Sequence, residues 1–205
     1  MTILSLPASP AFKTSKFGLR SNTQTFTSPL SGSVQTLEMP GARWTASYVL
    51  PPMKRDTAAA WQAFFVRLRG QAGRFYGYDP DSRAPRGVAT GTPLVNGGGQ
   101  TGASLVTDGW TASVTGILKA GDYIAFDAGT GRELHMVVAD ASSNESGQAT
   151  LTLEPPIRVS PLDNAALILS SASCVMMLAT PDIAWDASET SVYGLAFEAV
   201  EAIVP

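Results

Sequence analysis

The stretch LEMPGARWTASYVLPPMKRDTAAAWQAFFVRLRG, residues 37–70, contains the two strongest structural signals in the chain. In its first half, Trp44, Ala46 and Tyr48 have the same parity. Successive side chains of a strand point to opposite faces, so this spacing predicts a strand over 43–50 with one buried face. The aromatic and β-branched residues between them also suit a pleated, half-buried surface.

The second half of the stretch predicts an amphipathic helix over 56–69. Asp56 can cap the first turn by accepting a backbone N–H, and Gly70 and Gly73 can end the helix by adopting left-handed backbone. The apolar side chains recur at helical spacing, at Trp61, Phe64, Phe65 and Leu68. We therefore expect Trp61 and Phe65 to pack on a sheet that also contains Trp44.

Strand signals continue on both sides of this stretch. Residues 17–28, 33–39 and 74–78 are rich in threonine, valine and aromatic residues. Near the other end of the chain, 192–203 alternates apolar residues with small or polar ones. These segments predict one sheet that is covered on one side by the helix.

The composition changes at about residue 88. NGGGQTG, residues 96–102, is followed by a strand signal and not by a helix, so it predicts a flexible linker and not a phosphate-binding loop. Turn residues then separate a series of short strand signals. These lie at 103–110, 117–127, 132–141, 148–157 and 165–171. Short strands at this spacing predict a small barrel or sandwich.

Together these patterns predict a mainly β fold with one principal α-helix. Residues 1–87 and 175–205 would form a discontinuous first domain, and 88–174 would be a small β-barrel or sandwich inserted into it. Domains whose termini lie close together tolerate such insertions. The alternative is two domains that follow one another along the chain.

Charged residues make up only 15% of the chain, against about 25% in a typical soluble domain. Either a partner covers part of the surface, or the surface is polar through threonine, serine and glycine without being charged. The net charge of −3 argues against phosphate neutralisation, so we expect no sequence-specific nucleic-acid binding. The basic residues that come closest to a patch surround the predicted helix, at Lys54, Arg55, Arg67, Arg69 and Arg74.

The chain has no apolar run of the roughly 20 residues that span a bilayer. Its first residues, MTILSLPASPAFK, lack a basic leader, so we expect synthesis in the cytosol and no membrane association.

Residues that could carry chemistry are few. One histidine, His135, and one cysteine, Cys174, exclude a histidine-rich metal cage and an intrachain disulfide. The spacing places His135 opposite Leu134 and Met136, which predicts a solvated strand residue, and the apolar neighbours of Cys174 predict a buried, inert thiol.

Three carboxylates, Asp122, Asp127 and Glu133, could form a catalytic pair, but Asp122 follows Gly121 in an evident turn. The DPD run at 79–81 lacks the spacing and the glutamate of an EF-hand. We expect no catalytic, metal-binding or cofactor-binding residue.

Three segments resemble the distal tail proteins, or tail-tip ring proteins, of long-tailed bacteriophages. They are the 37–70 stretch quoted above, RFYGYDP at 74–80 and VYGLAFEAVEAI at 192–203. The resemblance implies a structural subunit of the virion tail tip that is made in the host cytoplasm. It also implies a ring, usually of six copies, that joins the tail tube protein to the hub or receptor-binding proteins.

The alternative function is a carbohydrate- or receptor-binding module, because the outer domain of some proteins in this group binds carbohydrate. The second domain here offers only Trp110 and Tyr123 as candidate stacking residues, so the resemblance does not extend to sugar binding. An iron–sulfur cluster, which some tail-tip proteins hold on several cysteines, cannot be built on one.

Overall fold

The computed structural model describes residues 2–129, 131–188 and 191–203. Within these residues the fold is mainly β with a single α-helix, as the sequence predicts. In chain order the elements are β1 (Ile3–Ser5), β2 (Thr14–Arg20), β3 (Thr23–Thr27), β4 (Val34–Glu38), β5 (Arg43–Val49), β6 (Met53–Lys54), α1 (Arg55–Leu68), β7 (Arg74–Gly77), β8 (Gly91–Val95), β9 (Gly102–Trp110), β10 (Tyr123–Asp127), β11 (Arg132–Val137), β12 (Ala149–Ile157), β13 (Cys174–Leu178), β14 (Asp186–Ala187), β15 (Val192–Gly194) and β16 (Ala196–Glu201).

The main sheet is built from both ends of the chain. Its order is β1-β7-β13-β16-β5-β2, and only the β1–β7 pair is parallel. Cys174 pairs with Gly77, so β13 returns beside the strand at which the chain left this sheet. A short second sheet, β14-β15-β6, lies next to the start of α1.

Helix α1 covers one face of the main sheet with the predicted stripe. Trp61 and Phe65 are both buried, and their rings lie 6.0 Å and 5.0 Å from the ring of Phe197 on β16. The indole N–H of Trp61 donates to the carbonyl of Ser9 at 3.0 Å. The predicted packing of this stripe on the strand that closes the chain is confirmed.

The ends of α1 differ in part from the prediction. Asp56 does not cap the helix, because Lys54 occupies the N-cap position and Asp56 lies inside the first turn, where its charge suits the helix dipole. At the other end, Arg69 adopts left-handed backbone with φ 52°. Gly73 is required there, since a Cβ on it would lie 2.5 Å from the carbonyl oxygen of Leu68.

The second large sheet has the order β10-β11-β12-β9-β8 and forms the barrel-like part of the molecule. Its two edge strands are both bridged by the segment around 165–168, through Leu94 to Ala166 and Ala125 to Ile168. Because both end strands bond to the same segment, the five strands and this segment form a closed barrel. The strand predicted at 165–171 is therefore not regular, although its position completes the barrel.

Strand β8 lies in the segment that the composition marks as a connection. It contains Gly91 and Pro93, which disfavour a central strand. Pro93 is accommodated because it lies at a register shift between Gly91 and Leu94 in the pair with β9, and its carbonyl accepts from the N–H of Leu167 at 3.1 Å. Residues 96–101 are the loop of the β8–β9 hairpin, and Gly102 begins β9. The stretch predicted to be a flexible linker is thus a hairpin loop within the barrel.

Strands β10 and β11 are buried on both faces. One face, with Ile124 and Phe126, belongs to the interior of the barrel, and the other, with Tyr123 and Leu134, packs on the main sheet. The ring of Trp44 lies 5.5 Å from that of Tyr123, and its indole N–H donates to the carbonyl of Leu134 at 2.7 Å. This hairpin therefore joins the two hydrophobic cores.

The division of the chain into two domains remains a prediction. The two sheets draw on separate segments of sequence, but Tyr123, Ala125 and Leu134 of the barrel belong to the core of the main sheet. Strand β13 begins at Cys174, one residue before the expected boundary.

Replacing Trp61 by alanine should lower the free energy of unfolding by about 3–5 kcal/mol, because the substitution empties a fully buried site. Val66→Ala on the exposed side of the same helix is the control and should change stability by less than about 0.5 kcal/mol. Urea unfolding measures both variants. Equal stabilities for the two would show that the stripe does not hold the helix on the sheet.

Deleting residues 88–173 and joining Gly87 to Cys174 through a short Gly/Ser linker tests the domain division. We expect cooperative unfolding to persist at a lower melting temperature, since Trp44 loses its contacts with Tyr123 and Leu134. Calorimetry measures the transition. A chain without a cooperative transition would mean that the two sheets form one inseparable folding unit.

Candidate functional site

His135 is fully buried, so the prediction that it is solvated is wrong. The alternation along β11 is as expected, but both faces of this strand are covered. The ring stacks on Phe126 with centroids 5.0 Å apart, and Nδ1 lies 2.7 Å from the carbonyl oxygen of Pro155. Its Nε2 lies 3.3 Å from a carboxylate oxygen of Glu133, out of line for a hydrogen bond.

The buried residues Glu133, His135 and Glu201 and the half-buried Arg158 form a cluster, here called the polar junction, where the barrel meets the main sheet. The carboxylate of Glu133 accepts from the backbone N–H groups of Arg158 and Val159 at 3.1 Å and 3.0 Å. The guanidinium of Arg158 pairs with Glu201, whose other carboxylate oxygen accepts from the N–H of Trp44 at 3.0 Å. The junction links β11, β16, β5 and the segment that follows β12.

The acidity of Glu133 reflects these contacts. Burial alone would raise the pKa of its carboxyl, but His135, the charge of Arg158 and the backbone N–H of Arg158 outweigh burial and hold the pKa below its usual value. The carboxylate is therefore ionised and fully engaged at neutral pH. Its role is to stabilise the contact between the two sheets.

A cavity of about 40 Å³ adjoins the polar junction, lined in part by Arg132, Glu133, Arg158 and Glu201. A cavity of this size holds at most a few water molecules. Among the residues that the structure describes, no group of three or more histidine, cysteine, aspartate or glutamate side chains is placed to hold a metal ion.

Asp122 is buried and binds the segment along which the chain passes from the main sheet to the barrel. Its carboxylate accepts from the backbone N–H groups of Arg86, Lys119 and Gly87 at 2.8 Å, 2.8 Å and 3.0 Å. Burial would raise the pKa of Asp122, but these three donors and the charge of Arg86 lower it. It follows a turn as predicted, and its carboxylate holds that turn through these three hydrogen bonds.

The remaining sequence candidates also have structural roles. Asp127 is exposed and pairs with Arg132 at 3.0 Å, so the three carboxylates are held by three separate sets of donors. Asp79 accepts from the N–H of Asp81 at 3.1 Å, which makes the DPD run an Asx-turn. Cys174 is fully buried as predicted, and burial together with the charge of Glu201 raises the pKa of its thiol.

The candidate stacking residues of the barrel are not available at its surface. Trp110 is buried and donates its indole N–H to the hydroxyl of Thr107 at 2.9 Å. Tyr123 is buried against Trp44 and Phe17, and burial raises the pKa of its phenol to about 12.

The hairpin β3–β4 is the most exposed structure in the described part of the chain. Every residue of both strands is exposed, and the two strands pair only with each other. Phe26, Val34 and Leu37 are 63%, 60% and 62% exposed, and Leu30 at the tip is 98% exposed. Opposing residues of an antiparallel pair share a face, so Phe26 and Leu37 lie on one side of the hairpin.

Local hydrogen bonds shape the tip of this hairpin. The N–H of Ser28 donates to the carbonyl of Ser33 at 2.8 Å, and Gly32 supplies the left-handed backbone of the turn with φ 67°. Strands were predicted over 17–28 and 33–39 as part of one sheet covered by the helix. Their exposure was not predicted, although residues 23–38 contain a single charged residue, Glu38, and a run so poor in charge and so rich in threonine and serine was a usable signal.

Comparison with known proteins adds no assignment to this geometry. No protein-family model matches the chain, and no curated protein sequence matches it. The exposure and the composition of the hairpin β3–β4 make it the candidate functional site.

The buried carboxylates predict loss of stability in acid. Asp122 and Glu133 both have lowered pKa values in the folded protein. Their contributions to the free energy of unfolding are therefore complete above the carboxyl pKa of the unfolded chain, which is about 4, and are lost as the pH falls through the pKa values of the folded protein. Asp122→Asn should reduce stability at pH 7 by about 1–3 kcal/mol and flatten the acid dependence. Melting temperatures between pH 7 and pH 3 measure this.

Asp127→Asn is the matched control for that experiment, because this carboxylate is exposed and forms only a surface ion pair. It should leave the melting temperature nearly unchanged at every pH. The same acid profile for Asp122→Asn and the unsubstituted protein would contradict the assigned role of Asp122.

Proposed function

We propose that this protein is a structural subunit of a bacteriophage tail tip, which assembles into a ring between the tail tube and the hub or receptor-binding proteins. It would be made in the host cytoplasm and act in the virion. The single observation that carries this proposal is the exposed hairpin β3–β4. The sequence resemblance supports the assignment to the tail tip, and the exposed hairpin supports assembly with other subunits.

The two strands of the hairpin are not stabilised by burial in their own chain, because every residue of both is exposed. An isolated two-stranded hairpin is marginally stable in water. Here the hairpin also exposes Phe26 and Leu37 on one side and Leu30 at its tip. A partner that covers these side chains would stabilise the strands and remove apolar surface from water. If the hairpin is an arm that binds a partner during assembly, here called the assembly arm, one contact explains the exposure of Phe26, Leu37 and Leu30.

The edges of the main sheet also support a ring. Strand β1 lies at one edge and β2 at the other, each with one neighbour in the sheet. A contact between unlike edges of two copies is heterologous, and such contacts close into a ring when the rotation between copies allows it. Unpaired strand edges are surfaces that chains use to associate.

A structural role also fits the chemistry of the buried polar groups. The carboxylates of Asp122, Glu133 and Glu201 are each satisfied by backbone N–H groups or by Arg158. His135 lies in the barrel interior between Phe126 and Pro155. We therefore propose a protein that is not an enzyme.

The carbohydrate-binding alternative gains no support from the barrel. Trp110 and Tyr123 are buried, so neither can stack on a sugar. A cleft of about 490 Å³ lies between the base of the hairpin and the barrel, but it is lined by Met39, Pro40, Pro155, Pro156 and other residues without an aromatic ring. Aromatic faces are the usual platforms for sugars and bases.

The proposal predicts self-association that depends on the hairpin. Sedimentation velocity over a range of concentrations should show the protein moving from a monomer to one closed oligomer. Phe26→Gln combined with Leu37→Gln should shift this transition to at least tenfold higher concentration, since two apolar contacts are lost. Leu162→Gln, an equally exposed apolar change on the barrel, is the control.

Cooperative unfolding should be unchanged in the hairpin variant, because both residues are exposed in the single chain. A protein that stays monomeric at every concentration would contradict the proposed function. A double variant that associates like the control would show that the hairpin is not the assembly arm.

A further inference from the structure

We propose that the hairpin β3–β4 of one copy docks into the groove between β1 and α1 of the next copy. This inference rests on the proposed function and adds the identity of the partner surface. The groove, here called the edge groove, is a pair of adjoining recesses that share Leu4 and Arg67. Each recess has a volume of about 280 Å³.

The shape and composition of the edge groove suit an apolar arm. The first recess is lined mainly by small or apolar side chains, Leu4, Pro7, Ala60, Ala63 and Phe64. Ala60 and Ala63 are exposed on the outer side of α1, where charged residues are usual. Small side chains leave room for large ones, so this recess can accept the side of the hairpin that carries Phe26 and Leu37.

The charges of the two surfaces are complementary. The hairpin carries one charged side chain, Glu38, and no basic residue. The edge groove is bordered by Arg67, Arg69 and Arg74, and none of the described residues that line either recess is acidic. An acidic hairpin base therefore meets a basic groove end, and the central part of the contact is uncharged on both sides.

The topology favours another copy as the partner. The hairpin follows β2 after two residues, whereas the edge groove borders β1 at the opposite edge of the main sheet. Five interstrand steps of about 4.8 Å, or about 24 Å, separate these edges. In its own chain the hairpin does not occupy the edge groove, because every residue of both strands is exposed.

Cysteine cross-linking between differently labelled copies tests the contact. One copy carries Leu30→Cys at the hairpin tip, and the other carries Ala63→Cys in the edge groove. Cys174 is fully buried, so it does not interfere in the folded protein. Under mild oxidation the mixture should form a reducible dimer at least tenfold faster than the control mixture of Leu162→Cys with Ala63→Cys. A chain with both substitutions should form a ladder of linked copies.

The outcomes separate this inference from the proposed function. Rapid cross-linking of Leu30→Cys to Ala63→Cys, suppressed when Phe26→Gln and Leu37→Gln are added, supports the docking. If the unsubstituted protein forms an oligomer but the mixture cross-links no faster than the control, the docking is wrong and the ring proposal stands. If the unsubstituted protein remains monomeric at every concentration, both proposals fail.

Discussion

A six-stranded sheet with one buried face needs a cover that is wider than a single helix. A helix with its side chains is about 10–12 Å wide, whereas the sheet is about 24 Å across. Helix α1 covers the part that presents Phe75 and Phe197, and the β10–β11 hairpin covers the part that presents Phe17 and Trp44. The position of the barrel follows from this requirement.

The same requirement explains where the charged groups are buried. A hairpin that serves two cores has no solvent-exposed face, so polar residues on it must find partners inside the protein. Glu133 is satisfied by the backbone after β12, and Arg158 connects it to Glu201 on the main sheet. Removing one member would leave another charge buried without its partner, which is more costly than losing a surface ion pair.

The sequence predicts the elements whose periodicity is set by one buried face. The stripe of α1 and the alternation of β5 and β16 belong to this group, because helix and strand periods differ clearly. The prediction for His135 was wrong because alternation shows that the two faces of a strand differ in polarity, but it does not show that either face is exposed to solvent. Strand β8 was missed because glycine and proline are signals of a connection, and only the folded chain shows that Pro93 lies at a register shift in the β8–β9 pair.

The candidate site could be predicted only in part, for a related reason. Phe26 and Val34 show that residues 17–39 form strands, but the same pattern is expected of core and of assembly surface. The sparse charge of residues 23–38 distinguishes an arm from a solvated hairpin, yet it does not identify the partner. The edge groove combines β1 with α1, which lie more than fifty residues apart in sequence, so it exists only in the folded chain.

Hydrogen exchange as a function of protein concentration tests the central claim most directly, namely that the hairpin is an arm that only assembly covers. In dilute protein the amides of β10 and β11 should exchange slowly, and those of residues 23–38 should exchange fastest among the strands. At concentrations that favour the oligomer, protection should increase in residues 23–38 and along β1 and α1. Strong protection of residues 23–38 in the monomer, or no change on association, would contradict the account.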